Sequence, residues 1–139
     1  MKAKKKQESI VVTGKRKTSI AKATIKKAPQ WEIRVNNFPL SIFPELRRLV
    51  IEEPIRIAQQ FINNSFQIKV RVKGGGVESQ AEAARLAIAR ALIEATKNQK
   101  LKKIFNQYDW SLIVADTRRK EACKPRDSKA RARRQTSYR

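Results

Sequence analysis

Residues 66–97 read FQIKVRVKGGGVESQAEAARLAIARALIEATK, and this stretch decides the fold class. Over residues 66–73 apolar and polar side chains alternate, which predicts a half-buried β-strand with a cationic outer face. Three glycines at 74–76 end the strand, and helical spacing of apolar residues then predicts a long helix over 77–97. Its expected buried stripe is Val77, Ala81, Ala84, Ile88, Leu92 and Ala95, with a weaker opposite stripe of Leu86, Ala89 and Ile93. Both sides of this helix are therefore expected to be covered.

Three further strands are expected before this stretch. Residues 10–12 are apolar and precede a cationic turn, and residues 18–26 alternate between small or apolar and polar side chains. Residues 31–35 alternate as well, and Asn36, Asn37 and then Pro39 end that strand. These patterns predict three of the strands of one sheet.

The remaining elements are mainly helical. Residues 45–62 have helical spacing, and Pro54 is expected either to break this helix or to begin its second part. The apolar positions that carry this pattern are Leu46, Leu49, Val50, Ile57 and Phe61. A further helix is expected over 99–108 and a last short strand at 112–114. The order of elements predicts an α+β domain in which a single sheet is backed by helices.

Length and charge divide the chain into three parts. With 139 residues and a formal charge of +21, it has room for one core and an extension. We expect a basic N-terminal arm at 1–8, a globular domain at 9–116 and an extended basic tail at 117–139. Such a charge suits nucleic acid or an anionic membrane surface. The apolar runs are too short to span a bilayer, and the N-terminus lacks the apolar segment of a secretory signal.

The tail points most directly to RNA. Ten of its 23 residues are Lys or Arg and two are acidic, so it carries +8. It holds too few apolar residues to offset the entropy of ordering its backbone, and we expect it to order against a polyanion. Seven of the ten cations are Arg, whose planar fork binds phosphate and stacks on bases. This bias favours structured RNA over a membrane.

Two motifs in the body each allow two interpretations. The segment Gly14–Ser19 reads GKRKTS, which lacks the spacing and the hydroxyl of a phosphate-binding P-loop. It is either a cationic turn between strands or a contact to a phosphate backbone. The glycines at 74–76 before a helix either bind an anion at the helix N-terminus or form a tight turn with positive φ, and both can hold. Lys73, beside them, favours the anion.

Enzyme chemistry has little support in the composition. The chain has no His and a single Cys, which removes zinc-finger spacing and His-dependent nucleophilic catalysis, and favours a reducing compartment. Four carboxylates remain as candidates for a metal-dependent nuclease, although they lack ligand spacing. These are Glu52, Glu53, Asp109 and Asp116. We expect no cofactor and no metal.

Three separated motifs carry a family resemblance. VVTGKRKTSIAKATIK near the start, VKGGGVESQAEAARLAIARAL in the middle and KARARRQTSYR at the end occur in this order. Together they resemble the universal small-subunit ribosomal protein family S-nine over residues 11–139. The ending RRQTSYR is similar to the archaeal and eukaryotic branch of that family.

The resemblance implies a ribosomal α+β sandwich with a left-handed βαβ crossover, a hand that connection rules alone disfavour. It implies a cytoplasmic structural protein that binds rRNA in the head of the small subunit. Its tail would reach the peptidyl-site tRNA, and head proteins would be its neighbours. Neither a membrane partner nor a homo-oligomer is expected. It also implies tRNA contacts by Arg139, Tyr138 and Ser137, and an approach lined by Arg134, Arg133 and Arg131.

Residues of the three motifs and the tail are accordingly expected to bind rRNA. They are Lys15, Arg16, Lys17, Lys73, Gly74, Gly75, Gly76, Arg85, Arg118, Arg119, Lys120, Lys129, Arg131, Arg133 and Arg134. Two rivals to a structural ribosomal role stay open at this point, a general nucleic-acid chaperone and the carboxylate-dependent nuclease. A chaperone would bind duplex DNA equally well and would tolerate scrambling of its tail.

Overall fold

The computed structural model describes residues 9–125, 130 and 131. Within them the chain forms one mixed five-stranded sheet and three α-helices. The strands are β1 (Ile10–Arg16), β2 (Ser19–Lys27), β3 (Glu32–Val35), β4 (Phe38–Pro39) and β5 (Phe66–Lys73). The helices are α1 (Glu45–Gln59), α2 (Val77–Thr96) and α3 (Gln99–Tyr108), with 3₁₀ turns at Leu40–Ile42 and Trp110–Leu112. The predicted α+β class, a single sheet backed by helices, is confirmed.

The sheet combines antiparallel and parallel pairs in the order β1-β2-β5-β3-β4. The pairs β1–β2, β2–β5 and β3–β4 are antiparallel, and β3 runs parallel to β5. Because α1 lies between β3 and β5 along the chain, these three elements form a βαβ crossover. Its left hand stays a prediction from the family resemblance.

The three helices cover one face of this sheet. Every second side chain of the central strands is buried in the core beneath them, as the alternation of residues 66–73 predicts. The inward side chains of β2 and β5 are Ser19, Ala21, Ala23, Ile25, Phe66, Ile68, Val70 and Val72. The intervening side chains point away from the helices, so the opposite face of the sheet has no helical layer among the described residues.

Gly14 allows α2 to lie unusually close to β1. A Cβ atom at this position would be 2.3 Å from the carbonyl oxygen of Ala83 and 2.6 Å from the backbone nitrogen of Ala87. Ala83, Ala84, Ala87 and Ala91 are all fully buried, so the helix presents small side chains to its neighbours. The glycine that we associated with a phosphate-binding turn is thus a packing residue inside a strand that runs on to Arg16.

Two predictions for helix α1 are wrong, namely the break at Pro54 and the set of buried residues. Pro54 does not break it, since the helix continues from Glu45 to Gln59 with a fully buried proline inside. Its buried stripe is Ile51, Pro54, Ile55 and Ala58. Leu46, Leu49 and Phe61 are exposed instead. The true stripe passes through the proline, so treating Pro54 as a breaker concealed it.

The predicted strand at 112–114 is also wrong. The Asp109 carboxylate accepts a hydrogen bond from the Ser111 amide at 2.8 Å and caps a 3₁₀ turn that buries Leu112. The carbonyl oxygen of Ile113 accepts from Arg90 Nε at 2.7 Å rather than from a neighbouring strand. Val77, expected in the buried stripe of α2, is exposed at the first turn of that helix. The opposite stripe is covered, with Leu86 and Ala89 buried.

The Arg85 guanidinium joins three helices. It pairs with Glu53 of α1 and, at 2.8 Å, with Asp109 at the end of α3, and it donates to the Ser111 hydroxyl at 3.0 Å. Tyr108 donates to Glu53 at 2.9 Å. Desolvation tends to raise the pKa of Asp109, but hydrogen bonds from Ser111 and Arg85 outweigh it and keep that pKa below its ordinary value. The cluster fixes the segment from which the tail departs.

Adding a methyl group at Gly14 is expected to separate α2 from β1. Gly14→Ala should lower the free energy of unfolding by about 1–3 kcal/mol, as overpacking of a core does. The control is Gly76→Ala, because a Cβ there has Ser79 Oγ at 4.0 Å as its nearest neighbour. That change should cost about 0.5 kcal/mol. Urea unfolding followed by circular dichroism measures both, and equal losses would contradict the close packing.

Removing Arg85 should leave two carboxylates without their shared partner. We expect Arg85→Met to cost about 1–3 kcal/mol, because the Arg85 side chain is only 15% exposed. The control Arg56→Met breaks the pair between Arg56 and Glu52 on the surface of α1 and should cost at most about 0.5 kcal/mol.

The effect of Arg85→Met should also depend on pH. The folded-state pKa of Asp109 is lowered, so its pairing stabilises the protein above the unfolded pKa of about 4 and is lost as the pH falls further. Urea unfolding at a series of pH values should therefore show the gap between variant and parent closing in acid. A gap that widens in acid would contradict this assignment.

Candidate nucleic-acid interface

Lysine and arginine side chains are concentrated on the uncovered face of the sheet. They are outward side chains of β1, β2, β3 and β5, and most of them are exposed. The cations on this face are Lys15, Lys22, Lys26, Arg34, Lys69, Arg71 and Lys73. Glu32 is the one acidic side chain that the described strands place there.

Strand register sets these cations opposite one another. Lys22 of β2 is paired with Arg71 of β5, and Lys69 of β5 is paired with Arg34 of β3. Like charges directly across a strand pair destabilise a sheet. Glu32 pairs with Arg34 and offsets one of these charges, but Lys22 and Arg71 have no carboxylate partner among the described ion pairs. A polyanionic partner would neutralise this pair.

A broad groove on this face of the sheet would form the contact surface for such a partner. Lysine and arginine side chains share its lining with uncharged ones, among them Val11, Thr24 and Asn37. Hydrogen bonds from Gln67 and then Arg34 lower the pKa of the Glu32 carboxyl below its ordinary value. Glu32 therefore stays ionised and offsets only part of the positive charge.

The first predicted motif divides between two roles. Lys15 and Lys17 are exposed, and Lys17 adopts φ +50° in the turn between β1 and β2. Arg16 points the other way and pairs with Glu82 of α2 and with Asp116. Its hydrogen bond to Glu82, and secondarily that to Asp116, raise the pKa of Arg16 against the effect of desolvation. Arg16 is thus already neutralised, while the two lysines remain available to phosphate.

Side chains of Ser19 and Ser79 bind some of the backbone polar groups of the glycine loop. Gly74 and Gly75 have φ values of +76° and +68°, which favour glycine. The Gly74 carbonyl accepts from Ser19 Oγ at 2.9 Å, and Ser79 Oγ accepts from the Gly76 amide at 3.0 Å. This geometry supports the tight-turn interpretation, and anion binding by residues 74–76 stays a prediction. Lys73, the last residue of β5, lies on the cationic face.

The start of the tail is bound to the body. Asp116 accepts from the Arg118 amide at 2.8 Å and from its guanidinium at 2.7 Å, in addition to its pair with Arg16. Arg119 and Lys120 are exposed, and Arg131 pairs with Glu121 at 2.9 Å. The other predicted tail contacts lie outside the described residues, as does the arm at 1–8. They are Lys129, Arg133, Arg134, Ser137, Tyr138 and Arg139.

Most cations on the sheet face were not among the residues expected to bind rRNA. Lys15 and Lys73 were, but the set formed by Lys22, Lys26, Arg34, Lys69 and Arg71 was not. The alternation in 18–26, 31–35 and 66–73 did mark each of them as outward-facing. Only the strand order shows that these separate segments form one continuous surface, because β5 inserts between β2 and β3.

The four candidate metal carboxylates are each paired with arginine. Glu52 contacts Arg56, and Glu53 and Asp109 share Arg85. Among the described residues no group of three or more His, Cys, Asp or Glu is placed to hold a metal ion. The helices in this part of the chain are also too short or too polar to cross a membrane.

Comparison with known proteins identifies the family of this chain. Residues 14–139 match the family model described as ribosomal protein S9/S16. The small ribosomal subunit protein uS9 of Thermoplasma volcanium is 42% identical over 131 residues, which cover 94% of this chain and 98% of that protein. The protein of the same name from Thermoplasma acidophilum is 41% identical and is covered completely. The chain therefore belongs to the ribosomal protein S9/S16 family, whose members are structural proteins of the ribosome and not enzymes.

Proposed function

We propose that the chain is a structural constituent of the small ribosomal subunit, in the cytoplasm, and that it binds rRNA through the uncovered face of its sheet. Its tail reaches the peptidyl-site tRNA. The observation that supports rRNA binding most strongly is the register that places cation opposite cation on that face. The two Thermoplasma relatives are named as proteins of the small ribosomal subunit, which supports assigning this chain to that subunit.

Phosphate neutralisation is the physical basis of this binding. Each lysine or arginine that contacts a phosphate releases condensed counterions, so affinity falls steeply as salt rises. The sheet provides the cations in fixed rows separated by the spacing of neighbouring strands, about 4.8 Å. A rigid surface of this kind recognises the shape and backbone of folded RNA, whose deep major groove excludes side chains.

The cationic residues of the motifs fall into two groups, those suited to contact phosphate and those that bind carboxylates of the body. Lys15, Lys17 and Lys73 are exposed and have no carboxylate partner among the described ion pairs, so they are the motif side chains best suited to phosphate. Arg16 and Arg85 are held by carboxylates of the body. We expect these two arginines to shape the RNA-binding surface and to contribute less to contact.

The tail is suited to a narrower RNA site. Its sequence combines arginine forks with hydroxyls and one aromatic ring at residues 133–139, a set that bonds to phosphate and sugar and stacks on a base. Arg139 would contact the anticodon stem-loop of the peptidyl-site tRNA by charge-assisted hydrogen bonds. Neighbouring head proteins would enclose the body.

Neutralising the sheet face should weaken rRNA binding more than an equal loss of charge elsewhere. The triple variant Lys22→Gln, Lys69→Gln and Arg71→Gln should lower affinity for small-subunit rRNA and reduce the slope of log K against log salt by roughly 2–3. The matched control replaces three exposed lysines of α3. They are Lys100, Lys102 and Lys103. Filter binding over a salt series measures both, and equal losses would mean that RNA responds only to net charge.

Shortening the tail should weaken tRNA binding without weakening assembly. Deleting residues 137–139 should cost about 1.5–3 kcal/mol of peptidyl-site affinity, roughly 10- to 150-fold. The variant Arg139→Lys tests the contribution of the planar guanidinium group, because it keeps the charge and loses the bidentate geometry. Equilibrium binding of labelled tRNA to reconstituted subunits is the measurement. Unchanged affinity in the deletion would remove the proposed contact.

A further inference from the structure

The segment that precedes the tail is fastened to the body by three arginines. Arg85 holds its beginning through Asp109 and Ser111. Arg90, also on α2, donates from Nε to the Ile113 carbonyl oxygen at 2.7 Å and from Nη1 to the Thr13 carbonyl oxygen of β1 at 3.1 Å. The segment therefore crosses the body along a defined line that leads toward the end of β1.

The third arginine holds the root of the tail itself. Arg16, at the end of β1, pairs with Asp116, and its side chain is also bound by Glu82 of α2. Asp116 in turn receives the Arg118 amide at 2.8 Å and the Arg118 guanidinium at 2.7 Å. One carboxylate thus connects a strand of the body with the second residue of the tail.

Asp116 lies in a partly buried ion-pair environment. Its side chain is only 20% exposed, and that of Arg16 only 21%, although Arg118 is 85% exposed. Hydrogen bonds from Arg118, first from its guanidinium and then from its amide, and a further bond from Arg16 hold the pKa of Asp116 well below its ordinary value. The carboxylate is ionised throughout the physiological range and always available to both arginines.

The charge of the chain favours an anchor with an anion at this place. A tail of +8 leaves a body that is itself strongly positive, so without a local anion the two parts repel. A free flexible chain of this length has a root-mean-square extension of roughly 25–30 Å. Holding its first residues fixes both where it starts and the direction in which it leaves, which raises its effective concentration at one target.

We propose that Asp116, through its ion pair with Arg16, is a positioning residue that sets the point and the direction in which the tail leaves the body. This role rests on the proposed tRNA contact of the tail for its function. Arg16 serves the anchor and is not a primary contact to phosphate, although it belongs to the most cationic motif of the body.

Distance measurement on the free, full-length protein tests the anchor without any RNA. Spin labels are placed at Arg119→Cys and at Gln59→Cys, the end of α1, in a Cys123→Ser background. Pulsed electron resonance should give a narrow distance distribution, and Asp116→Asn should at least double its width. Arg16→Gln, which breaks the same pair from the body side, should broaden it equally. The control is Glu52→Gln, which removes one ion-paired carboxylate of α1 and should leave the width unchanged.

An unchanged width in both Asp116→Asn and Arg16→Gln would overturn the anchor. So would a broadening of the same size in the Glu52→Gln control, because it would reflect charge or stability in general. Circular dichroism confirms that each variant is folded. This readout does not depend on whether the tail binds tRNA.

Reconstituted subunits connect the anchor to function. Asp116→Asn should lower peptidyl-site tRNA affinity about 3- to 10-fold and leave rRNA binding by the sheet face unchanged. The deletion of 137–139 is measured beside it. If the deletion lowers affinity and Asp116→Asn does not, the positioning role is wrong. If neither changes affinity, the proposed tRNA contact fails, and the distance measurements alone decide whether the anchor exists.

Discussion

The close contact between α2 and the edge of the sheet is the constraint on which the rest of the structure depends. It exists because Gly14 has no side chain where the backbone of Ala83 and Ala87 passes. Buried alanines let α2 settle against β1 and β2, and α1 and α3 pack around it on the same side. Since the helices of the described residues all lie on one face, the other face of the sheet has no helical layer within that part of the chain.

Arginine and lysine have separate tasks in this architecture. Arg16, Arg85 and Arg90 use their planar forks to hold carboxylates and carbonyl oxygens that join the helices, β1 and the root of the tail. Lysine dominates the open sheet face, where a strongly hydrated point charge on a flexible stem suits variable phosphate positions. A high positive charge that looks uniform in the sequence is therefore divided between arginines that are ion-paired or hydrogen-bonded within the body and lysines that we propose bind rRNA.

Local patterns predicted most of the fold, and they failed where tertiary contacts decide. Alternation in 66–73 and helical spacing in 77–97 identified β5 and α2 because each element buries one regular set of side chains. The buried stripe of α1 was missed because it runs through Pro54, which local rules treat as a breaker. The strand expected at 112–114 is a 3₁₀ turn because Asp109 caps it. Lys15 and Arg16 lie on opposite faces because β1 continues through both of them, which the short apolar run at 10–12 did not predict. The approach of Glu82 and Asp116 then gives the arginine its structural role.

Lysine reactivity in the assembled small subunit tests the central claim most directly. Amine labelling followed by mass spectrometry, on the free protein and on intact subunits, compares Lys22, Lys26 and Lys69 of the sheet face with lysines of α3. If the uncovered face binds rRNA, these three should lose most of their reactivity on assembly, and Lys102 and Lys103 should lose much less. Full reactivity of the sheet-face lysines in the subunit, with protection of α3, would show that RNA binds the opposite side of the molecule.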